Sequence, residues 1–464
     1  MEAASLSQSS APRPVAGRAK SLVSVALALI AGGILRIWLF RQFFQTNGDT
    51  LIYGGIAKNL LLHGRYAFSL DAPTLIRLPG YPFFLALSFK LFGMENYAAA
   101  VWIQIALDLF ACLLLADFAR KIVPPPFKTG AAHATLWLAA LCPFTAIYSA
   151  APLTEALTLF SISLALWAAA SFQESPRWAS ALAFAFAVTF AALLRPDGAL
   201  VAAALAPAIL VTLRGRDAAR VARIIIVCAL LALTPFAAWT ARNWKVFHVF
   251  QPLAPKSATD PGDPVYPGWE RWVKTWTLDF HSTYYIYWNV PGDVLDVSKL
   301  PSRAFDTPAQ YRQTIALAAE YNTNGWSLTP ELDRGFEILA QQRIAANPMR
   351  YYLWLPLGRV ADMWLRPRVD NLPIDLDWWV YSHHHVETRF SWAYAALNAL
   401  YIVLGLVGLC LRPRMWIWML AYLLLRSAML FTINPPETRY TIECFPMLFA
   451  LGGVALSRLF YRFT

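Results

Sequence analysis

The chain has 464 residues, 58% of them hydrophobic and only 14% charged, where an ordinary soluble domain carries about 25% charged residues. That balance excludes a water-soluble enzyme, because a chain of this size cannot hide so much apolar surface in one interior. The net charge of +11 reads as membrane topology rather than nucleic-acid binding. Arg13, Arg18 and Lys20, then Arg120, Lys121 and Lys128, then Arg214, Arg216, Arg220 and Arg223, and finally Arg412, Arg414, Arg458 and Arg462 flank apolar runs so that every cluster falls on the cytoplasmic side. No nucleic-acid partner is expected.

Residues 1–20, rich in Ser, Ala and Pro, form a cytoplasmic tail with too little apolar surface to fold. The apolar runs 22–40, 98–116, 134–148, 157–170, 179–194, 200–213, 224–239, 392–411, 416–431 and 445–456 predict an all-α polytopic membrane protein with about ten transmembrane helices. The first run is too long for a signal-peptide core and reads as a retained helix. Residues 45–95 form the first external loop, in which 50–62 predicts a short amphipathic helix and 79–92 a strongly apolar one. That second helix is too short to cross, and a crossing there would move Arg120, Lys121 and Lys128 outside, so it is placed along the interface.

After an N-terminal transmembrane module, residues 21–244, comes a long external segment, 245–390, holding Trp269, Trp272, Trp276, Trp288, Trp326, Trp354, Trp364, Trp378 and Trp379. Such Trp density predicts a segment resting on lipid headgroups, where the ring is apolar and the N–H wet. Within it 331–346 reads as a helix and 351–364 as an interfacial one. Residues 391–464 supply the C-terminal transmembrane helices, three in number.

Polar residues that could carry chemistry gather on the outer side. Asp49 begins the 50–62 helix after Asn47 and Gly48, with Tyr53 one turn later; a helix N-terminus favours its ionised form, and an ordinary N-cap is an equal reading. Lys58, His63, Arg65, Tyr66 and Arg77 share its loop. Glu155 sits in an external turn, and Arg195, Pro196 and Asp197 interrupt a hairpin; at such depth ionisable groups line a polar cavity or pair with one another. Glu437, Arg439 and Tyr440 stand at the mouth of the last helix, where an Arg suits a phosphate. Asp108 and Asp117 read as structural. Cys112, Cys142, Cys228, Cys410 and Cys444 lie in or beside apolar runs and read as small hydrophobes. His383, His384 and His385 are consecutive and cannot converge on one ion from a regular element, so no metal site is assigned. No phosphate-cradling Gly loop, HExxH or nucleophile elbow occurs, which removes nucleotide hydrolysis and metalloprotease chemistry.

In order and topology the residues resemble the lipid-carrier-dependent membrane glycosyltransferases of GT-C fold, in the branch of protein O-mannosyltransferases and lipid A aminoarabinose transferases. The resemblance is carried by Gly48-Asp49-Thr50 with Tyr53, Ile56-Ala57-Lys58-Asn59-Leu60-Leu61, Gly64-Arg65-Tyr66 and Arg77-Leu78-Pro79-Gly80-Tyr81-Pro82. Thr154-Glu155, Leu194-Arg195-Pro196-Asp197 and Glu437-Thr438-Arg439-Tyr440 extend it, so that it covers 22–213 and 392–457. Many members carry two adjacent acids where this chain has Asp49 alone; Glu155 is the candidate for the second.

The resemblance implies a GT-C helical bundle that moves a sugar, with inversion, from a polyprenyl-phosphate carrier to an acceptor glycolipid, polysaccharide or protein. Asp49 would be catalytic, with Tyr53, Lys58, His63, Arg65, Arg77, Glu155, Arg195, Asp197, Glu437, Arg439 and Tyr440 binding substrate. Relatives differ in metal use, so a divalent cation is compatible and no cofactor is assigned. The implied location is a bacterial inner membrane with the site facing the periplasm. Two other readings stay open: a transporter or flippase in which Glu155, Arg195 and Asp197 line a passage, although the internal repeat common in such proteins is not visible, and a polysaccharide ligase or polymerase using the same donor.

Overall fold

The helices are built from residues apolar on most sides, the pattern of segments that face either lipid or one another. The computed structural model describes residues 15–46, 48–376 and 384–461, with side chains from residue 21 onward; Asn47, Trp378, Trp379 and His383 lie outside the described residues. Helix α1 (Val15–Phe43) leads into α2 (Asp49–His63), which stops at Gly64 in the left-handed region, φ 63°, where a side chain would be strained. A two-stranded ribbon, Ala67–Ser69 with Ala72–Pro73, then turns the chain into α3 (Gly80–Phe92) and α4 (Tyr97–Ile122), capped by Asn96.

Helices α5 (Lys128–Ala140) and α6 (Pro143–Ser149) form one span bent by 58°, because Pro143 removes an N–H and ends the first piece. Four helices follow: α7 (Glu155–Glu174), α8 (Trp178–Leu194), α9 (Ala199–Leu213) and α10 (Ala218–Phe247). Among the described residues seven helices are long and apolar enough to cross a membrane, and the bent pair makes an eighth. Adding the short apolar helix α8 and its later counterpart accounts for each of the apolar runs read from the sequence. At 13 residues, α3 is too short to cross, as expected for a helix along the interface.

The segment between α10 and the last helices holds α11 (Pro267–Lys274), α12 (Phe280–Tyr285), α13 (Pro308–Thr323), α14 (Pro330–Ala346) and α15 (Leu355–Leu365). Here one expectation is corrected. Trp269, Trp272 and Trp276 do not rest on headgroups; they are buried with Tyr321, Phe336 and Leu339 in a core of their own. A spacing of three puts the Trp269 and Trp272 rings on one side of α11, which packs on α14, and Trp276 joins them from the turn that follows. Trp326 and Trp354 do point outward, while Trp364 donates to Ser427 Oγ at 3.3 Å. The expected interfacial helix over 351–364 begins as a π-helical turn, Arg350–Trp354. Its inner face is docked by buried Arg359, which donates to the carbonyls of Lys274 and Thr277.

The last helices are α16 (His385–Cys410), α17 (Trp416–Leu430) and α18 (Phe445–Tyr461). In the bundle α4 packs on α7 and α5, α18 on α5 and α16, and α17 on α9. Small residues permit the close approaches: a Cβ on Gly453 would lie 2.8 Å from the Ala131 carbonyl oxygen. Asp108 is structural, as expected. Arg36 Nε donates to it at 2.7 Å, and Arg36 Nη1 reaches the Ala140 carbonyl at 2.7 Å, a group that the α5–α6 break leaves without a helical partner.

The two ends of the bundle differ chemically. Arg414 N donates to the Ile122 carbonyl, Lys121 pairs with Glu174, and Arg220 reaches the Pro176 carbonyl. These contacts gather the basic turns at one end. Asp49, Glu155, Asp197 and Arg439 stand at the other.

Candidate active site

At that second end the starts of α2 and α7, the α8–α9 turn, α12, the loop 370–376 and the segment 435–440 enclose a cavity of about 1270 Å³. Asp49 is the first residue of α2 rather than its cap. Gly48 takes the cap position at φ 48° with no side-chain hydrogen bond, leaving the Asp49 carboxylate free to turn toward Arg77 Nη2 at 2.6 Å and Arg439 Nη1 at 3.5 Å. Burial pushes the Asp49 carboxyl upward, but the two guanidinium groups outweigh it and hold it below the ordinary carboxylate value.

Arg77 is placed by its neighbours. Tyr66 OH donates to the Arg77 carbonyl at 3.0 Å, and the guanidinium lies 5.8 Å from the centre of the Tyr53 ring, a cation–π distance. Tyr53 in turn meets Tyr81 edge to face. Tyr81 OH donates to Gln104 Oε1 at 2.7 Å, and Gln104 Nε2 donates to the Ala151 carbonyl at 2.7 Å. Thr50 Oγ1 adds a bond to the Pro152 carbonyl at 3.2 Å. Helix α2 and the turn before Glu155 are therefore held as one piece.

Glu155 is the first residue of α7 and only 2% exposed. It lies 3.3 Å from Arg195 Nη1 and 3.7 Å from Arg439 Nη1. Arg195 also reaches Asp197 at 3.3 Å and Glu443 at 3.1 Å. Arg426, wholly buried, completes the network with Asp197 at 2.6 Å and Glu443 at 3.0 Å. Glu437 pairs with Arg439 and accepts from Tyr440 OH, and the Arg195 guanidinium sits 5.5 Å from the Tyr440 ring centre. Buried charges persist only when paired and hydrogen-bonded, and here each carboxylate meets at least one guanidinium.

Nine of the candidate residues thus line one cavity or its network. Lys58, His63 and Arg65 do not. Lys58 pairs with Glu95 at 2.9 Å on a partly exposed face, His63 is exposed at the end of α2, and Arg65 donates to the Leu70 carbonyl at 3.0 Å. Their neighbourhood to Asp49 is one of sequence, since α2 carries its far end away from the cavity. Arg65 instead lines a second cavity of about 930 Å³, walled by Phe83, Phe84, Leu87, Phe190 and Trp239. The two cavities adjoin: Leu78 and Leu194 line the first, Pro79 and Leu193 the second. His384 pairs with Glu387 at 3.4 Å.

Sequence reasoning missed Arg426, Glu443, Tyr148, Lys256, Asp370 and the aromatic residues of α12. An arginine inside the apolar run 416–431 is itself a signal, since charge at that depth requires a partner. Asp370 and α12 carry no comparable mark. Among the described residues no group of three or more His, Cys, Asp or Glu side chains could hold a metal ion.

The bundle and its ion-lined cavity define a multi-pass helical membrane protein with a polar site at one end. Residues 71–240 match the family model described as dolichyl-phosphate-mannose-protein mannosyltransferase, which agrees with the resemblance to GT-C glycosyltransferases and takes in Arg77, Glu155, Arg195 and Asp197. No curated protein matches the chain. Among solved structures it is similar to the oligosaccharyltransferase AglB from Archaeoglobus fulgidus in complex with an inhibitory peptide and a dolichol-phosphate, at 13% identity and a TM-score of 0.47, covering 97% of this chain and 51% of that one. It is also similar to ArnT from Cupriavidus metallidurans bound to undecaprenyl phosphate, at 15% identity and a TM-score of 0.37, covering 96% of this chain and 78% of that one. The chain spans about half the length of the oligosaccharyltransferase.

Proposed function

We propose that the protein transfers a hexosyl or pentosyl group from a polyprenyl-phosphate carrier to an acceptor hydroxyl or amine, inverting the anomeric carbon. The observation that carries this reading is one carboxylate, Asp49, held between two guanidinium groups, Arg77 and Arg439, in a cavity that adjoins an apolar one. The family description for residues 71–240 names a donor of this kind. The apolar cavity accepts the polyprenyl tail, and the arginines take the phosphate through charge-assisted hydrogen bonds.

In the free protein those arginines are engaged by Asp49. The donor phosphate competes for them, and as they turn to it Asp49 loses the charges that depress its pKa and becomes a better base. The acceptor O–H or N–H then donates to Asp49. A bond from the acceptor atom to the anomeric carbon forms on the face opposite the phosphate, while the bond from that carbon to the phosphate oxygen breaks. The polyprenyl phosphate leaves with the electron pair, its new negative charge is met by Arg439 and Arg77, and the proton rests on Asp49. General-base help is worth about 10²- to 10⁴-fold, and a preorganised donor to the developing charge about 10²- to 10³-fold. Glu155 and Glu437 are positioning residues that orient Arg439. The reaction lies on the face away from the basic turns, which in a bacterium is the periplasmic face of the inner membrane.

The test is reconstitution with defined polyprenyl-phosphate sugars and product analysis by mass spectrometry. Asp49→Asn should lower kcat by about 10²- to 10⁴-fold. Full transfer by that variant would remove Asp49 from the role, and movement of the lipid-linked sugar without covalent change would replace the enzyme reading with a flippase.

A further inference from the structure

The roof of the same cavity is aromatic. Asp279 caps α12 by accepting from Ser282 N at 2.8 Å, and the helix and the turn after it bring together Phe280, Tyr284, Tyr285 and Trp288. Phe280 and Trp288 meet edge to face at 5.5 Å, Tyr284 and Tyr285 at 5.0 Å, and Tyr284 lies 5.8 Å from Trp288. Phe280 is buried beneath them. Tyr284, Tyr285 and Trp288 keep 46%, 42% and 44% of their surface open, and all three line the cavity. These rings are braced by one another yet left half uncovered within a concave site.

A carboxylate stands beside this ledge. Thr283 Oγ1 donates to the Pro436 carbonyl at 3.5 Å, and Thr438, two residues on, donates its hydroxyl to Asp370. The Asp370 side chain is 10% exposed and lines the cavity; its buried Oδ1 makes no hydrogen bond and lies 4.0 Å from Arg366 Nε. At that distance the guanidinium offsets charge without making a hydrogen bond, so the carboxylate keeps acceptor capacity for a hydroxyl that reaches it.

Rings and a carboxylate side by side match a pyranose, which presents an apolar face of C–H groups and an edge of hydroxyl donors. The rings cover the face, as aromatic side chains cover other flat apolar surfaces, and the carboxylate accepts from the hydroxyls. A polyprenyl tail would meet a needless charge here. An extended peptide calls for paired backbone groups along its length, and rings and a carboxylate do not supply them.

We infer that Tyr284, Tyr285, Trp288 and Asp370 form an acceptor subsite for a pyranose ring, so that the acceptor is a saccharide rather than a peptide. The inference rests on the sugar-transfer reading for calling the ring an acceptor. It is tested by saturation-transfer NMR on the full chain in lipid nanodiscs, with methyl α-mannopyranoside, methyl β-glucopyranoside and a Ser/Thr-containing decapeptide as probes. The ring protons of a glycoside should take up saturation. The signal should fall by roughly fivefold, the ordinary worth of a lost ring contact, in Trp288→Ala and in Asp370→Asn. It should persist in Trp288→Phe, which keeps an aromatic face and guards against misfolding, and in Trp354→Ala, an exposed aromatic outside the cavity. Equal signals in all variants, or saturation of the peptide alone, would overturn the inference. So would displacement of the glycoside by polyprenyl-phosphate-mannose, which would make the ledge the donor's. Asp49→Asn separates the two readings: it should retain glycoside binding while losing transfer.

Discussion

Arg426 Nη1 stands 2.6 Å from Asp197 Oδ2, joining the middle of an apolar helix near the end of the chain to the turn between α8 and α9. The same guanidinium reaches Glu443, so one fully buried cation is shared between two acids behind the site, with Arg195 facing both as well. Arg195 then passes the connection forward to Glu155, and Glu155 to Arg439. The cavity wall is in this way tied to the bundle by charge as well as by packing.

Arg426→Gln should leave Asp197 and Glu443 with Arg195 as their shared cation, one positive charge short in a buried setting, at a cost of about 3 to 5 kcal/mol. Thermal unfolding in detergent measures it. Combining the change with Asp197→Asn should recover part of the loss, because the two positions share one interaction. Strictly additive losses would show that the pair is not coupled.

The pH dependence of Asp49 should differ between the free and donor-bound forms. Its folded pKa lies below the ordinary value of about 3.9. Its contribution to stability is then present above that ordinary value and lost only as pH falls through the depressed one. The profile of kcat/KM for the donor, which reports the free protein, should show no acid limb from Asp49 at pH 5 and above. The profile of kcat should show one at higher pH, since the arginines have moved to the phosphate. Identical acid limbs would exclude the exchange of partners.

Asp362 makes a prediction of the opposite sign. Burial pushes its carboxyl up to about 7, with Arg366 pulling the other way, so the folded chain holds this proton more tightly than the unfolded one. Stability from this group therefore declines as pH rises from about 4 to about 7. Asp362→Asn should flatten that decline, read as the difference in melting temperature between pH 5 and pH 8.

Arg439→Lys keeps the charge but replaces the planar fork with a point donor. With the leaving phosphate less well met, kcat should fall by roughly 10- to 10³-fold. Single-turnover product formation is the measurement, and an unchanged rate would assign the leaving group to Arg77 alone.

Gly80→Ala tests the wall between the two cavities. A Cβ there would lie 2.7 Å from the Leu193 carbonyl oxygen, backbone that cannot swing aside, so α3 must shift away from α8. Overpacking of this kind costs about 1 to 3 kcal/mol. A stability loss near zero, measured by thermal unfolding, would mean that the helices separate freely.

Much of the fold was legible because crossing a bilayer imposes long apolar runs and one-sided positive charge. Glu155, Arg195, Asp197 and Arg439 stood out for the same reason, as charges where charge is expensive. Arg426 satisfied that criterion too, and only the apolar length of its run hid it. Lys58 and Arg65 mislead because closeness in sequence along a helix becomes distance in space after two turns. Asp370 and Trp288 reach the cavity through a long segment whose path depends on contacts far apart in the chain, and local pattern does not encode that. Trp269 and Trp272 gave a usable signal in their spacing, which marks a packed helix face, whereas the abundance of Trp alone pointed to the interface.

That tryptophan-centred core has a consequence for how such a protein can diversify. Its residues form a hydrophobic cluster distinct from those of the bundle, and the aromatic roof hangs from the same segment between α10 and α16. On the proposed reading, drift in the roof would change what is recognised without disturbing Asp49, Arg77 and Arg439. Under that reading a lineage built this way would retain one donor chemistry while exploring many recipients.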